Sequence, residues 1–188
     1  VQDLVIVAVK APSLLEVAQH IAPLIGPDTV VLTAMNGVPW WFFDGLGGAC
    51  DGLRLGSVDP GGHIAELIPA SRVIGCVVHV SSTAPAPGEV RHVNGNGLII
   101  GESAGGRSER VAALESLLTR AGFSVTVSER IQREIWFKLW GNMTMNPISA
   151  LTGATCDRIL DDPLVRAFCS AVMLEARAIG QAFGIPID

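Results

Sequence analysis

The 188-residue sequence is poor in charge: 13 Lys and Arg and 18 Asp and Glu make up 16% of it, with a net charge of −5. The cations are scattered and form no basic run, which argues against a nucleic-acid surface or an anionic membrane surface as partner. No apolar run approaches the ~18 residues of a membrane span. The N-terminal candidate, LVIVAV from Leu4 to Val9, is short, ends at Lys10 and does not read as an export signal. Cys50, Cys76, Cys156 and Cys169 form no C-x-x-C pair and no ligand cluster with the four His. The expectation is therefore four buried, reduced thiols and no metal site. Nothing repeats and nothing is low-complexity. These absences leave small-molecule chemistry in a cytoplasmic protein as the expectation.

What is present is apolar: 49% of the residues are hydrophobic, enough to bury one large domain or parts of two. DLVIVAVK (3–10) reads as a short strand buried on both faces, as in a parallel sheet. SLLE (13–16) follows as a capping box opening a helix to about Pro23, and TVVLTAMNG (29–37) is a second strand ended by Asn36-Gly37. Strand, helix, strand is a βαβ unit. A further short strand is expected near Leu53–Val58. VIGCVVHVSS, GEVRHV and GLIIG, between Val73 and Gly101, read as antiparallel hairpins. Ser108–Arg120 is expected to be helical, with Gly122 as its stop and FSVTVS (123–128) as a strand. From about Glu129 the pattern is helical, with Asp162-Pro163 opening the last helix and Gly184 closing it. The fold class is thus α/β followed by all-α, with a boundary near residue 128.

Within the second part, EIWFKLWGNMTMNP (134–147) is an oily stretch that carries Lys138, Asn142 and Asn146 at intervals of four. On a helix Asn142 lies about 40° and Asn146 about 80° around from Lys138, so the three form one stripe. Trp136, Trp140 and Met143 fall on roughly the opposite side, with Phe137 and Leu139 on the flanks. An unpartnered buried amide costs about 1–3 kcal/mol and an ammonium more. The stripe must meet polar partners: either an internal hydrogen-bond network or a cavity with a polar ligand. Pro147 directly after Asn146 should bend or end the helix there. Lys10 and Asn36 stand at the carboxyl ends of the two parallel strands, where open α/β sheets bind ligands; a solvated lysine and a plain turn are the alternatives.

VAVKA (7–11), AMNGV (34–38), the PGEVRHV to IIG region (87–101) and WFKLWGNMTMNPISALTG (136–153) resemble the ketopantoate reductase family, in order and along essentially the whole chain. Lys-x3-Asn-x3-Asn-Pro after a tryptophan is the most specific of these motifs. The resemblance implies a Rossmann-type sheet domain followed by a helical domain, here over residues 1–127 and 128–188. It also implies NADPH-dependent reduction of 2-dehydropantoate to pantoate, by hydride transfer to a 2-oxo acid. Carried over by position, Lys138 matches the family's catalytic lysine, and Asn142 and Asn146 match substrate-contacting asparagines. Lys10 and Asn36 match residues lining the cofactor and substrate cleft. The cofactor implied is NADP(H), and a homodimer is a further expectation.

The match also has departures. The chain starts at what corresponds to the family's fourth Rossmann strand, which would leave the glycine-rich phosphate loop upstream of Val1. The acidic partner of the catalytic lysine would lie beyond Asp188. A further substrate-contacting asparagine, ten residues after Asn146, falls on Cys156. A relative acting on another 2-oxo acid, or a β-hydroxyacid dehydrogenase, therefore competes with the ketopantoate reading. From another class, a catalytically silent nucleotide-sensing or scaffold module would keep the fold without turnover.

Overall fold

The computed structural model describes residues 1–187. Two parallel strands open the chain, β1 (Leu4–Val7) and β2 (Val30–Ala34), joined through helix α1 (Leu14–His20). β3 (Val73–Thr83) pairs parallel to β2 and antiparallel to β4 (Arg91–Glu102), and β5 (Ser124–Val127) pairs parallel to β4. The sheet is five-stranded in the order β1-β2-β3-β4-β5. Helices α2 (His63–Leu67) and α3 (Glu109–Arg120) precede β3 and β5. α4 (Ile131–Thr152), α5 (Cys156–Asp161) and α6 (Pro163–Ala182) complete the described elements.

The period of two along β3 divides the apolar interior. Val73 and Val77 join one core cluster, with Leu14 of α1, Ile64 of α2 and Ile131, Ile135 and Trp136 of α4. Ile74 and Cys76 join the other, with Leu98, Ile100 and the inner face of α3 at Val111, Leu114 and Leu118. α3 starts where Ser108 caps it, its hydroxyl accepting from the Val111 N–H at 3.2 Å. Its Arg110 donates to the Glu102 carboxylate at 2.7 Å and so pins the helix to the end of β4. Burial pushes the Glu102 carboxyl up, but the hydrogen bonds from Arg110 and Ser108 outweigh it and hold the group below the ordinary glutamate value. At α6 Asp162 accepts from the N–H groups of Leu164 and Val165, at 2.8 and 3.0 Å.

The first cluster is continuous from the sheet into the helices. Trp40, Trp41, Phe42 and Phe43 follow the Asn36-Gly37 turn and are all buried. Phe42 packs against Trp136 and Phe183, with ring centroids 6.2 and 5.8 Å apart. Beneath these rings Gly75 and Gly101 face each other across β3 and β4. A Cβ on Gly75 would come within 2.5 Å of the Trp41 ring and 2.9 Å of Ile131. One on Gly101 would lie 2.6 Å from the Ser128 carbonyl and 3.1 Å from Ile131. The missing side chains let the start of α4 lie directly on the sheet.

Several expectations need correction. β1 buries Val5 and Val7 while Ile6 between them is 52% exposed, so the described residues cover one face of the strand rather than both. Ser13 forms no side-chain cap, and the helix expected to reach Pro23 is broken into short 3-10 turns at Ala11–Ser13 and Ala22–Leu24 around α1. No strand forms near Leu53–Val58. That stretch turns back on itself instead, with the Val58 and Asp59 N–H groups both on the Leu55 carbonyl, and the Asp59 carboxylate accepts from Ile64 and Ala65 at the start of α2. GEVRHV and GLIIG belong largely to a single strand, making one long hairpin with β3. α4 runs through Pro147 to Thr152; proline removes one N–H from the helix ladder without ending the helix. Among the cysteines, all free, Cys156 is exposed and Cys50 half-buried, while Cys76 and Cys169 are buried.

The close contact over Gly75 predicts that Gly75→Val lowers unfolding stability by about 1–3 kcal/mol through overpacking. Gly141→Ala serves as the control: the added methyl meets nothing within 4 Å in α4 and should raise stability by about 0.5–1 kcal/mol. Urea unfolding midpoints check both signs.

Candidate active site

The seating of Ile131 on the sheet fixes where the polar stripe falls. Lys138 is seven residues on, about 10 Å along the helix and within about 20° of the same direction. Gly75 and His79 are four residues apart on β3, about 13 Å, with side chains on the same face. Helix and strand therefore bring Lys138 to His79, and Lys138 Nζ lies 3.4 Å from His79 Nδ1. Burial lowers the His79 pKa below the ordinary histidine value, the Lys138 ammonium lowers it further, and Glu134 opposes both.

Asn36 reaches the neighbouring residue of the same strand. Its Oδ1 accepts from the Val78 N–H at 3.2 Å, and its Nδ2 donates to the Val78 carbonyl at 3.5 Å. The side chain thus acts as one more rung between β2 and β3, just past the end of β2. Lys138 and Asn36, about a hundred residues apart in sequence, meet successive residues of β3.

Beside Asn36 a cavity of about 440 Å³ opens past the carboxyl end of β2. Its lining includes Thr33, Asn36, Trp40, Trp41 and Ile64, together with Ile135, which lies one turn of α4 before Lys138. The Trp40 indole donates to the Ile68 carbonyl at 3.2 Å and holds one wall. Cys76 also borders the cavity, but burial pushes its thiol up to about 12, so it stays protonated and is no nucleophile.

The other expected site residues are less closely held. Lys10 is exposed at the start of the 3-10 turn Ala11–Ser13; Ala11 and Pro12 line the cavity and Lys10 does not. Asn142 is half-buried and Asn146 exposed, further along α4 on the side of Lys138. The tryptophan side does pack inward, Trp136 being buried and Trp140 donating to the Met173 carbonyl. Phe137, by contrast, is 60% exposed. His79 and the Trp40-Trp41 wall escaped the sequence reading. The signal for His79 was an imidazole within the apolar run VIGCVVHV; for the wall it was the run WWFF shortly after Asn36-Gly37. Among the described residues no cluster of His, Cys, Asp and Glu could hold a metal ion, and no helix is long and apolar enough to cross a membrane.

Residues 1–40 match the family described as "Ketopantoate reductase PanE/ApbA", and residues 130–188 match "Ketopantoate reductase PanE/ApbA C terminal". A 2-dehydropantoate 2-reductase of Mesorhizobium japonicum is 50% identical over 98% of this chain, which covers 56% of that protein. A crystal structure from Ralstonia solanacearum MolK2, of a protein assigned as a ketopantoate reductase, superposes with a TM-score of 0.97 at 64% identity. It is covered over 58% of its length by the whole of this chain. The dimeric ketopantoate reductase of Staphylococcus aureus has a TM-score of 0.76 at 25% identity, over 99% of this chain and 59% of that one. The chain thus spans little more than half the length of these relatives. Family matches at both ends, and one relative half-identical along nearly all of it, agree: this chain belongs to the ketopantoate reductase family.

Proposed function

We propose that the protein carrying this chain is an oxidoreductase that reduces 2-dehydropantoate to pantoate with NADPH. The observation that carries the reading is the convergence of Lys138 and Asn36 on His79 and Val78, beside a cavity at the carboxyl end of a parallel strand. Such strand ends are where open α/β sheets bind dinucleotides and their substrates. Family membership and the named activity of the Mesorhizobium japonicum relative support the same reaction.

Lys138 is the group suited to the chemistry. Its ammonium can stabilise the negative charge that builds on a substrate carbonyl oxygen, then give that oxygen a proton. Asn142 and Asn146, on the same side of α4, can orient a hydroxy acid without adding charge. Asn36 has its first acceptor and donor positions on Val78, but an amide keeps a second proton and a second lone pair for a ligand. NADPH, when bound, supplies the hydride. The residues present fit the reactive end of such a cofactor: an apolar cavity with Asn36 at its mouth, and Lys10 past the end of β1.

We assign residues 1–127 to the dinucleotide-binding domain and 128–188 to the helical substrate domain, since the last strand ends at Val127 and α4 begins at Ile131. A homodimer is part of the same reading, by likeness to the dimeric Staphylococcus aureus relative. Cys156 favours one variant of it. The thiol stands exposed at the first residue of α5, where the family pattern has an amide, so a different 2-oxo acid is the second reading.

The test is turnover of 2-dehydropantoate, and of a panel of other 2-oxo acids, with NADPH by the protein at its full natural length. Lys138→Ala should lower kcat by on the order of 10² to 10⁴, the span for losing a general acid or an oxyanion partner, with NADPH affinity little changed. Folded Lys138→Ala enzyme working at the wild-type rate would refute the assignment. Asn142→Ala should instead raise KM for the oxo acid more than it lowers kcat, because an orienting amide binds substrate and transition state more nearly alike. Asn36→Ala should cost both kinetic competence and about 1 kcal/mol of stability for the two hydrogen bonds to Val78, the latter read from faster hydrogen exchange at the Val78 amide.

A further inference from the structure

Among the described residues, Lys138 is hydrogen-bonded to the titratable side chain of His79, and the reductase chemistry proposed for Lys138 does not use that side chain. It lies on the face of β3 that α4 covers, in register with Gly97 of β4, and a Cβ on Gly97 would come 3.3 Å from the His79 Cβ. The strand beside the imidazole is therefore bare of side chain at that point. α4 supplies its charged neighbours, Lys138 and Glu134. The titratable His92 of β4 is hydrogen-bonded to the Gly95 carbonyl at 2.6 Å. From β2, the uncharged Asn36 meets the adjacent Val78.

The chemistry of the contact determines the tautomer. A lysine ammonium has three protons to donate and no lone pair. The ring nitrogen it faces at 3.4 Å, Nδ1, must be the acceptor, so the ring proton sits on Nε2. The separation is at the long end for a hydrogen bond, and its geometry depends on a flexible four-carbon stem that would otherwise sample many rotamers.

We propose that His79, neutral and protonated on Nε2, is a positioning residue for Lys138: its Nδ1 lone pair holds the ammonium over β3, beside the residue that Asn36 meets, where a carbonyl oxygen would be received. The kinetic part rests on the reductase reading; the contact does not. Protonating the imidazole removes the lone pair and sets a second positive charge beside the first. The hold is therefore present when His79 is neutral and lost as pH falls through its folded pKa. Burial, Lys138 and Glu134 together leave that pKa below the ordinary value of 6.5, so the reductase rate should show an acid limb with its midpoint below that pH.

Two measurements test this. In the first, the imidazole nitrogens of His79 are followed by NMR against pH, in the wild-type protein and in Lys138→Met. The expected result is the Nε2–H tautomer in the wild type and a higher His79 pKa in Lys138→Met. A dominant Nδ1–H tautomer, or an unchanged pKa, would overturn the contact. In the second, kcat is measured against pH with NADPH and 2-dehydropantoate at full natural length. His79→Leu should lower the plateau kcat roughly threefold to tenfold, the scale of one hydrogen bond, and abolish the acid limb. His79→Asn, whose Oδ1 can stand in for Nδ1 but does not titrate, should restore most of the plateau and still lack the limb. If His79→Leu does not fold, the Asn variant and the titration decide alone. Wild-type turnover with the acid limb intact in His79→Asn would overturn the positioning role alone. No wild-type turnover of any 2-oxo acid would sink the reductase reading and the kinetic role with it, while the titration would still decide the contact.

Discussion

Everything near Lys138 depends on one close approach, the seating of Ile131 and Trp41 on the backbone at Gly75 and Gly101. Two facing residues without side chains make a shallow depression in an otherwise filled sheet surface. A helix that starts in that depression cannot slide along β3 without losing the fit, because close-packed interiors adjust in discrete steps rather than continuously. The phase of α4 is set there, two turns before the lysine. A methyl group added at the depression would be felt at the lysine as a lateral displacement, far from any ligand.

The same logic connects the loop after β2 to the helix. Asn36 closes the β2–β3 pair at its open end, and the residues that follow it bury Trp40, Trp41, Phe42 and Phe43 against α4 and the turn at Phe183. Cavity wall, strand end and helix therefore share one apolar cluster rather than meeting at a wet boundary. The consequence for the site is rigidity: the helix that carries the lysine and the cavity wall are held by packing and Asn36 by its two hydrogen bonds to Val78, and the ammonium tip is what keeps freedom to move. A polar contact at that tip has more to contribute than one at a residue already fixed by its neighbours.

Much of this was readable in the chain, and the failures share a cause. Short apolar runs named β1 and β2, serine and aspartate caps named the starts of α3 and α6, and the four-residue spacing put Lys138, Asn142 and Asn146 on one side of α4. Each of these is a local signal. What escaped depends on pairing across the chain. Gly75 and Gly101 look like ordinary strand glycines until the β3–β4 register sets them opposite each other, and His79 has no visible role until a helix residue 59 positions away arrives. The stretch Leu53–Val58 resembles a strand by composition, yet the carboxylate of Asp59 turns it toward α2. Pro147 would break an isolated helix, but here α4 continues past it to Thr152, with Thr144 buried one turn before.

The aromatic residues give the molecule an optical property. The chain has four tryptophans and no tyrosine, so its near-ultraviolet emission comes from indoles alone. Trp40 and Trp41 line the cavity, and Trp136 and Trp140 belong to α4. Trp40, Trp41 and Trp136 are buried in the cluster where the sheet meets the helices, and Trp140 is hydrogen-bonded between α4 and α6. A dinucleotide whose reduced ring absorbs where indole emits would quench this light on entering, and water reaching the joint between sheet and helices would shift it to the red. The indoles of this chain thus report, without a label, on the integrity of that joint.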